Sequence, residues 1–237
     1  MNKKIWIDWR VNKPCPNCIT GELISIDKKY IQTETRASSI QTTEEPSYPY
    51  TDFIFTEHLK CNYCAEIVAA LGYKSEDNYP DQDSHHNTVI KYSSFIPAPH
   101  IIEMPKSCPV IVKKILIDSF SLFWMDENSC ANKIRISVEA LMDALKVKKT
   151  KMTKKGRREL SLHSRILEYK LKNPEIAEYL LAIKWIGNTG SHLSNVSEDH
   201  ILNAYKLLEY ALELIYNDKK KELTRMSKAI NKRKKLI

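Results

Sequence analysis

Apolar residues change their spacing near residue 108 of this chain. Beyond that point they recur every three or four positions, the repeat of one helix face. Ile134, Val138, Leu141 and Leu145 predict a helix over 131–146, with Asn128 or Ser129 as its cap. Asn173-Pro174 gives a cap and a first-turn proline for a helix burying Ile176, Leu180 and Ile183, which Gly187 is expected to end as a left-handed cap. Ser197, followed by Glu198 and Asp199, opens another helix with Ile201, Ala204, Leu208, Ala211, Leu212 and Ile215 inward. Two further helices are read over 109–124, capped by Ser107 with Ile111, Ile115, Leu122 and Phe123 inward, and over 159–171. Packed together, the five make a bundle.

Before residue 108 the pattern is different. Short β-forming runs (Leu23, Ile24, Ile26, Tyr30, Ile31; Phe53, Ile54, Phe55; residues 88–96) alternate with turn-forming stretches. Nine of the ten prolines lie before residue 110, and Pro97, Pro99 and Pro105 read as an extended entry to the helical half. Residues 75–87 are polar and aperiodic, which predicts a loop; His85 and His86 within it are read as solvated.

Cysteine spacing supplies the first chemistry. Cys15-Pro-Asn-Cys18 and Cys61-Asn-Tyr-Cys64 are two Cys-x-x-Cys pairs separated by 42 residues. Each pair can wrap two thiolates round one metal, and two pairs complete a closed tetrahedral site suited to one structural Zn²⁺. Gly21 and Gly72 are expected in tight turns after the pairs. A redox dithiol would sit at a helix start in a βαβ setting, which this pattern lacks. Cys108 and Cys130 stand alone and read as small apolar residues.

The expected fold class is therefore α+β, mainly α: an N-terminal zinc ribbon with short antiparallel strands, then a helical bundle. Four segments follow: a zinc-ribbon module over 1–75, a loop, short strand and proline-rich linker over 76–107, the bundle over 108–217, and a basic helix or tail over 218–237.

Charge changes the functional picture. The net charge of +8 is concentrated: residues 146–158 hold eight basic side chains and no acid, and residues 218–237 hold nine against Asp218 and Glu222. Clustered cations favour a polyanion, so Lys148, Lys149, Lys151, Lys154, Lys155, Arg157 and Arg158, read as a loop, are candidate nucleic-acid contacts. No apolar run is long enough for a membrane span and the N-terminus has no apolar h-region, so a cytoplasmic protein without a membrane partner is expected. Arg135 and Glu139, one turn apart beside a core stripe, are candidates to position other polar groups.

Residues 131–141, followed by a helix ending in Ile186-Gly-Asn-Thr-Gly-Ser-His192, resemble the prokaryotic domain of unknown function 4145 over about residues 95–217. That family is regarded as related to the HEPN superfamily, whose members are dimeric helical bundles often linked to restriction and anti-phage systems. Its active members are metal-independent ribonucleases with an arginine, a polar residue and a histidine in one short motif. The resemblance puts Asn188 at the polar position, His192 at the histidine position and Gly187 at the arginine position. It implies a HEPN-like, non-catalytic, zinc-containing defence module that dimerises and binds nucleic acid (RNA favoured) or nucleotide. The alternatives are a ribonuclease using His192 and a protein–protein adaptor docking another defence-system protein.

Overall fold

The computed structural model describes residues 14–18, 20–26, 31–77, 88–154, 156–189, 196–216 and 218–233. It divides the chain into two units, 1–100 and 101–237, and the fold class is α+β, mainly α.

The first unit is an antiparallel sheet built on one long hairpin. β1 (Leu23–Ser25), β2 (Ile31–Glu34), β3 (Tyr50–Cys61), β4 (Ile67–Asp77) and β5 (Val89–Ile96) take the order β1-β3-β4-β5, with β2 also on β3. β1 pairs with the end of β3 (Leu23 opposite Cys61) and β2 with its middle (Ile31 opposite Thr56), along the same edge. Strict alternation along β3 buries Phe55, Glu57, Leu59 and Cys61 on one face. The Tyr92 hydroxyl of β5 donates to the Glu57 carboxylate, so this buried acid has a partner. A helix the sequence pattern did not predict, α1 (Arg36–Glu44), is capped by the Thr35 side chain, which accepts from the Ser38 amide. Gly72, expected in a turn, lies inside β4 at a bulge against the Phe55 ring.

The second unit holds α2 (Val110–Phe123), α3 (Glu127–Ala144), a hairpin of β6 (Thr150–Thr153) and β7 (Gly156–Glu159), α4 (Leu162–Lys170), α5 (Pro174–Thr189), α6 (Glu198–Tyr216) and α7 (Asp218–Arg233). α3 packs against α2, α5 and α6, and α5 packs against α4 and α6. The core takes Ile134, Val138, Leu141 and Met142 from α3, Ala177, Leu180 and Ile183 from α5, and Ile201, Ala204, Leu208, Ala211 and Leu212 from α6. α2 turns by one residue from expectation. Val112, Leu116, Phe120 and Phe123 are buried, while Ile111 faces out and Ile115 is half-buried. Two overlapping apolar stripes run along this helix, and the stripe bearing the two phenylalanines buries more area.

Two caps differ from expectation, and a third cap was not predicted. Pro109, not Ser107, precedes α2. Asp126 caps α3 by accepting from the Ser129 amide, and Asn128 instead accepts from the Val196 amide at the start of α6. Ser161 caps α4. Among the described residues no helix is long and apolar enough to cross a membrane.

Candidate metal centre and nucleic-acid interface

The second Cys-x-x-Cys pair is the turn of the β3–β4 hairpin. Cys61 closes β3, Ala65 takes a left-handed conformation (φ 61°), and the Cys61 amide donates to the Glu66 carbonyl at 2.8 Å. The first pair is closed in the same manner, the Cys15 amide donating to the Gly21 carbonyl at 2.9 Å. Asn62 ties the two turns together: its amide donates to the Glu22 carbonyl at 3.0 Å and its side-chain oxygen accepts from the Glu22 amide at 2.9 Å.

These turns bring four sulfurs within 4.8 Å of one another. Cys15 Sγ lies 3.5 Å from Cys64 Sγ and Cys18 Sγ lies 3.6 Å from Cys61 Sγ, well beyond the S–S bond of a disulfide. Backbone amides point at the sulfurs. Asn17 donates to Cys15, Gly21 to Cys18 and Tyr63 to Cys61, each at 3.3 Å. Burial pushes the Cys15 thiol up to about 12. At Cys18 desolvation is outweighed by the Gly21 amide and the Cys61 and Cys64 sulfurs, which bring that thiol down to about 6. Four sulfurs this close cannot all ionise without a cation between them, so the cluster has the composition and geometry of a closed metal site. Gly21 is part of the fit, because a Cβ there would overlap the Cys61 sulfur.

In the second unit, residues expected to form a loop make a two-stranded ribbon. Lys151 stands opposite Arg158 and Met152 opposite Arg157. Residues directly opposite share a face, so one face carries Lys151 and Arg158 and the other Met152 and Arg157. Gly156, at φ 105°, supplies a left-handed backbone after the turn. Lys151, Met152, Lys154, Arg157 and Arg158 are all exposed, Met152 at 75%. Lys155 lies outside the described residues.

The ribbon is fastened at its base. Asp143, near the end of α3, accepts from Lys149 and from Arg165 of α4, each at 2.7 Å. Arg165 also donates to the Val147 carbonyl at 3.1 Å, and the Leu160 amide donates to the Lys149 carbonyl at 2.8 Å. At Asp143 desolvation is outweighed by the hydrogen bonds and charges of Lys149 and Arg165, which hold the carboxyl below its usual range. Neither Asp143 nor Arg165 stood out in the sequence; Arg165 sits three residues after Leu162 and one before Ile166, on the buried side of α4.

Gly187 does not end α5. The helix runs through it to Thr189, and Gly187 is buried where α5 meets α3. A Cβ there would lie 2.6 Å from the Arg135 Cβ and 3.0 Å from the Ala131 carbonyl oxygen. The glycine serves close helix approach, not a left-handed cap. Arg135 reaches along its own helix, pairing with Glu139 at 2.6 Å and donating from Nε to Asn132 at 3.4 Å. Asn188 is half-buried beside Gly187, and His192 lies outside the described residues.

Two families match the chain. Residues 118–233 match Domain of unknown function (DUF4145), and residues 3–100 match Domain of unknown function (DUF8608). No curated protein and no solved structure matches. The two matches fall on the two structural units, so the four-cysteine cluster lies in one and the basic ribbon in the other.

Proposed function

We propose, for a chain whose residues 118–233 belong to the domain of unknown function 4145 family, a non-catalytic nucleic-acid-binding role, with the N-terminal unit held by one structural Zn²⁺. Sulfur separations of 3.5 and 3.6 Å support zinc, because a tetrahedron with Zn–S bonds of about 2.3 Å has edges of roughly 3.8 Å. Cys15, Cys18, Cys61 and Cys64 would fill all four positions. The ion then fastens the β3–β4 turn to the first cysteine turn and leaves no open position for a substrate.

The observation that carries the binding role is the β6–β7 ribbon. It holds exposed Lys151 directly opposite exposed Arg158, and like charges so placed repel in the free protein. A polyanion relieves that repulsion. Exposed Arg225, Lys228 and Lys232 on α7 add a second basic surface.

The non-catalytic reading rests on Gly187. In the ribonucleases that this corner resembles, an arginine stands at that position. Here a side chain would collide with α3, and the nearby Arg135 is engaged by Glu139. The resemblance further supports a place in a prokaryotic defence system and assembly as a homodimer.

Equilibrium binding tests the role. Labelled nucleic acid should bind the wild type and lose affinity on the order of a hundredfold or more when Lys148, Lys151, Lys154, Arg157 and Arg158 are all changed to Gln. Undiminished binding by that variant overturns the role of the ribbon. A protein that binds no nucleic acid, yet co-purifies stoichiometrically with another protein, belongs to the adaptor reading.

A further inference from the structure

We infer that the β6–β7 ribbon is a duplex-DNA docking element that enters the major groove; the inference rests on the nucleic-acid reading above and names its substrate class. Three properties of the ribbon select among nucleic acids.

The first is shape. Each strand has four residues, so the ribbon is about 13 Å long, enough to follow roughly four base pairs. Two antiparallel strands fit the major groove of B-form DNA, which is about 12 Å wide. The major groove of an RNA duplex is deep and narrow and does not admit side chains on such a ribbon.

The second is composition. Residues 146–160 contain no aromatic side chain. Proteins that hold single strands stack bases on aromatic rings, and this element offers none. Its side chains are cations and hydroxyls, together with the exposed thioether of Met152 and one exposed carboxylate, Glu159, at the base of the ribbon opposite Thr150.

The third is the division between faces. Lys151 and Arg158 on one face are placed to neutralise phosphates. On the other face Arg157 stands beside Met152, and its Nε donates to Thr150 Oγ1 at 3.0 Å, which orients the guanidinium along the ribbon. A guanidinium with an apolar neighbour suits base edges, where guanine offers paired acceptors and thymine a methyl group. The base is rigid enough to deliver this arrangement. Asp143 is held by both Lys149 and Arg165, and the Arg165 side chain is only 8% exposed.

Fluorescence anisotropy at a fixed 0.15 M salt decides it. The full-length protein is titrated into four probes of one 20-residue sequence: duplex DNA, single-stranded DNA, duplex RNA and single-stranded RNA. A fifth probe is the DNA duplex with its cytosines replaced by glucosylated 5-hydroxymethylcytosine, which fills the major groove. Duplex DNA should bind tightest, by about tenfold over the other polymers, and the glucosylated duplex should fall to their level. Lys151→Gln with Arg158→Gln should weaken duplex-DNA binding about tenfold or more with an unchanged circular dichroism spectrum, because both side chains are exposed. Equal or tighter binding of either RNA or of single-stranded DNA overturns the inference and leaves the nucleic-acid role standing. So does full affinity for the glucosylated duplex, or full affinity in the double variant. Failure to bind any of the five probes overturns both.

Discussion

Gly187 and Arg135 meet so closely that a Cβ on the glycine would stand 2.6 Å from the Cβ of the arginine. Helices α5 and α3 touch through this point, and the contact needs a residue with no side chain. Gly187→Ala should therefore destabilise the second unit by about 1–2 kcal/mol, the cost of overpacking outweighing the helix propensity that alanine restores. Urea denaturation reads this as a lower midpoint at unchanged slope. Arg135→Ala should not rescue the variant, because the colliding atom is Cβ and alanine retains it. Rescue by Arg135→Ala would mean that the long side chain, not helix approach, sets the contact.

Gly21 stands in the same relation to a sulfur. A Cβ at Gly21 overlaps the Cys61 Sγ position, so Gly21→Ala should displace one ligand. Metal analysis of the wild type should give one zinc per chain. The Gly21→Ala protein should hold substantially less, and its N-terminal unit should unfold at lower denaturant, since metal affinity contributes to folding free energy. Full zinc occupancy in Gly21→Ala would show that the cysteine turns can open without losing the site.

Asp143 predicts a pH dependence with a definite sign. Its carboxyl is held below the usual range in the folded protein, so it releases its proton more readily folded than unfolded. The stability it contributes is present above the unfolded value of about 3.9 and is lost as pH falls through the lower folded value. Wild type and Asp143→Asn should then differ most near neutral pH and converge under acid. The carboxylate is 40% exposed, so solvent discounts its ion pairs, and the difference near pH 7 should be about 1 kcal/mol. Proteolysis near the hairpin should quicken in the variant, as Lys149 and Arg165 lose their shared anchor. A pH-independent difference would assign the anchoring to hydrogen bonding and not to the Asp143 charge, and no difference at all would leave it to the Arg165–Val147 hydrogen bond.

How far the sequence revealed these features follows from where their causes lie. The cysteine turns were legible because two Cys-x-x-Cys pairs fix a local geometry, and the α6 stripe was legible because one helical period dominates it. Tyr205 was not in that stripe, yet it is wholly buried between Phe120 and Phe123, its hydroxyl 2.8 Å from Ser119 Oγ. Its place between Ala204 and Leu208 was the available signal; the hydroxyl partner comes from α2, 86 positions away in sequence. The pattern over residues 146–158 predicts a loop because Lys is a weak strand former, and the ribbon's pairing depends on an anchor formed by α3 and α4. Gly187 has the local signature of a helix end, because nothing near it in sequence reports that α3 passes alongside. Local chemistry was visible, while inter-helix distance was not.

The dependence of nucleic-acid affinity on salt tests the central claim most directly. With Lys148, Lys151, Lys154 and Arg158 neutralising phosphates and Arg157 on base edges, the logarithm of the association constant should fall against the logarithm of salt with a slope of about −3.6 on duplex DNA. Changing Lys148, Lys151, Lys154, Arg157 and Arg158 to Gln should remove most of that slope. A flat wild-type response, or an equally steep one in the five-site variant, would contradict the claim that this ribbon is where the protein meets nucleic acid.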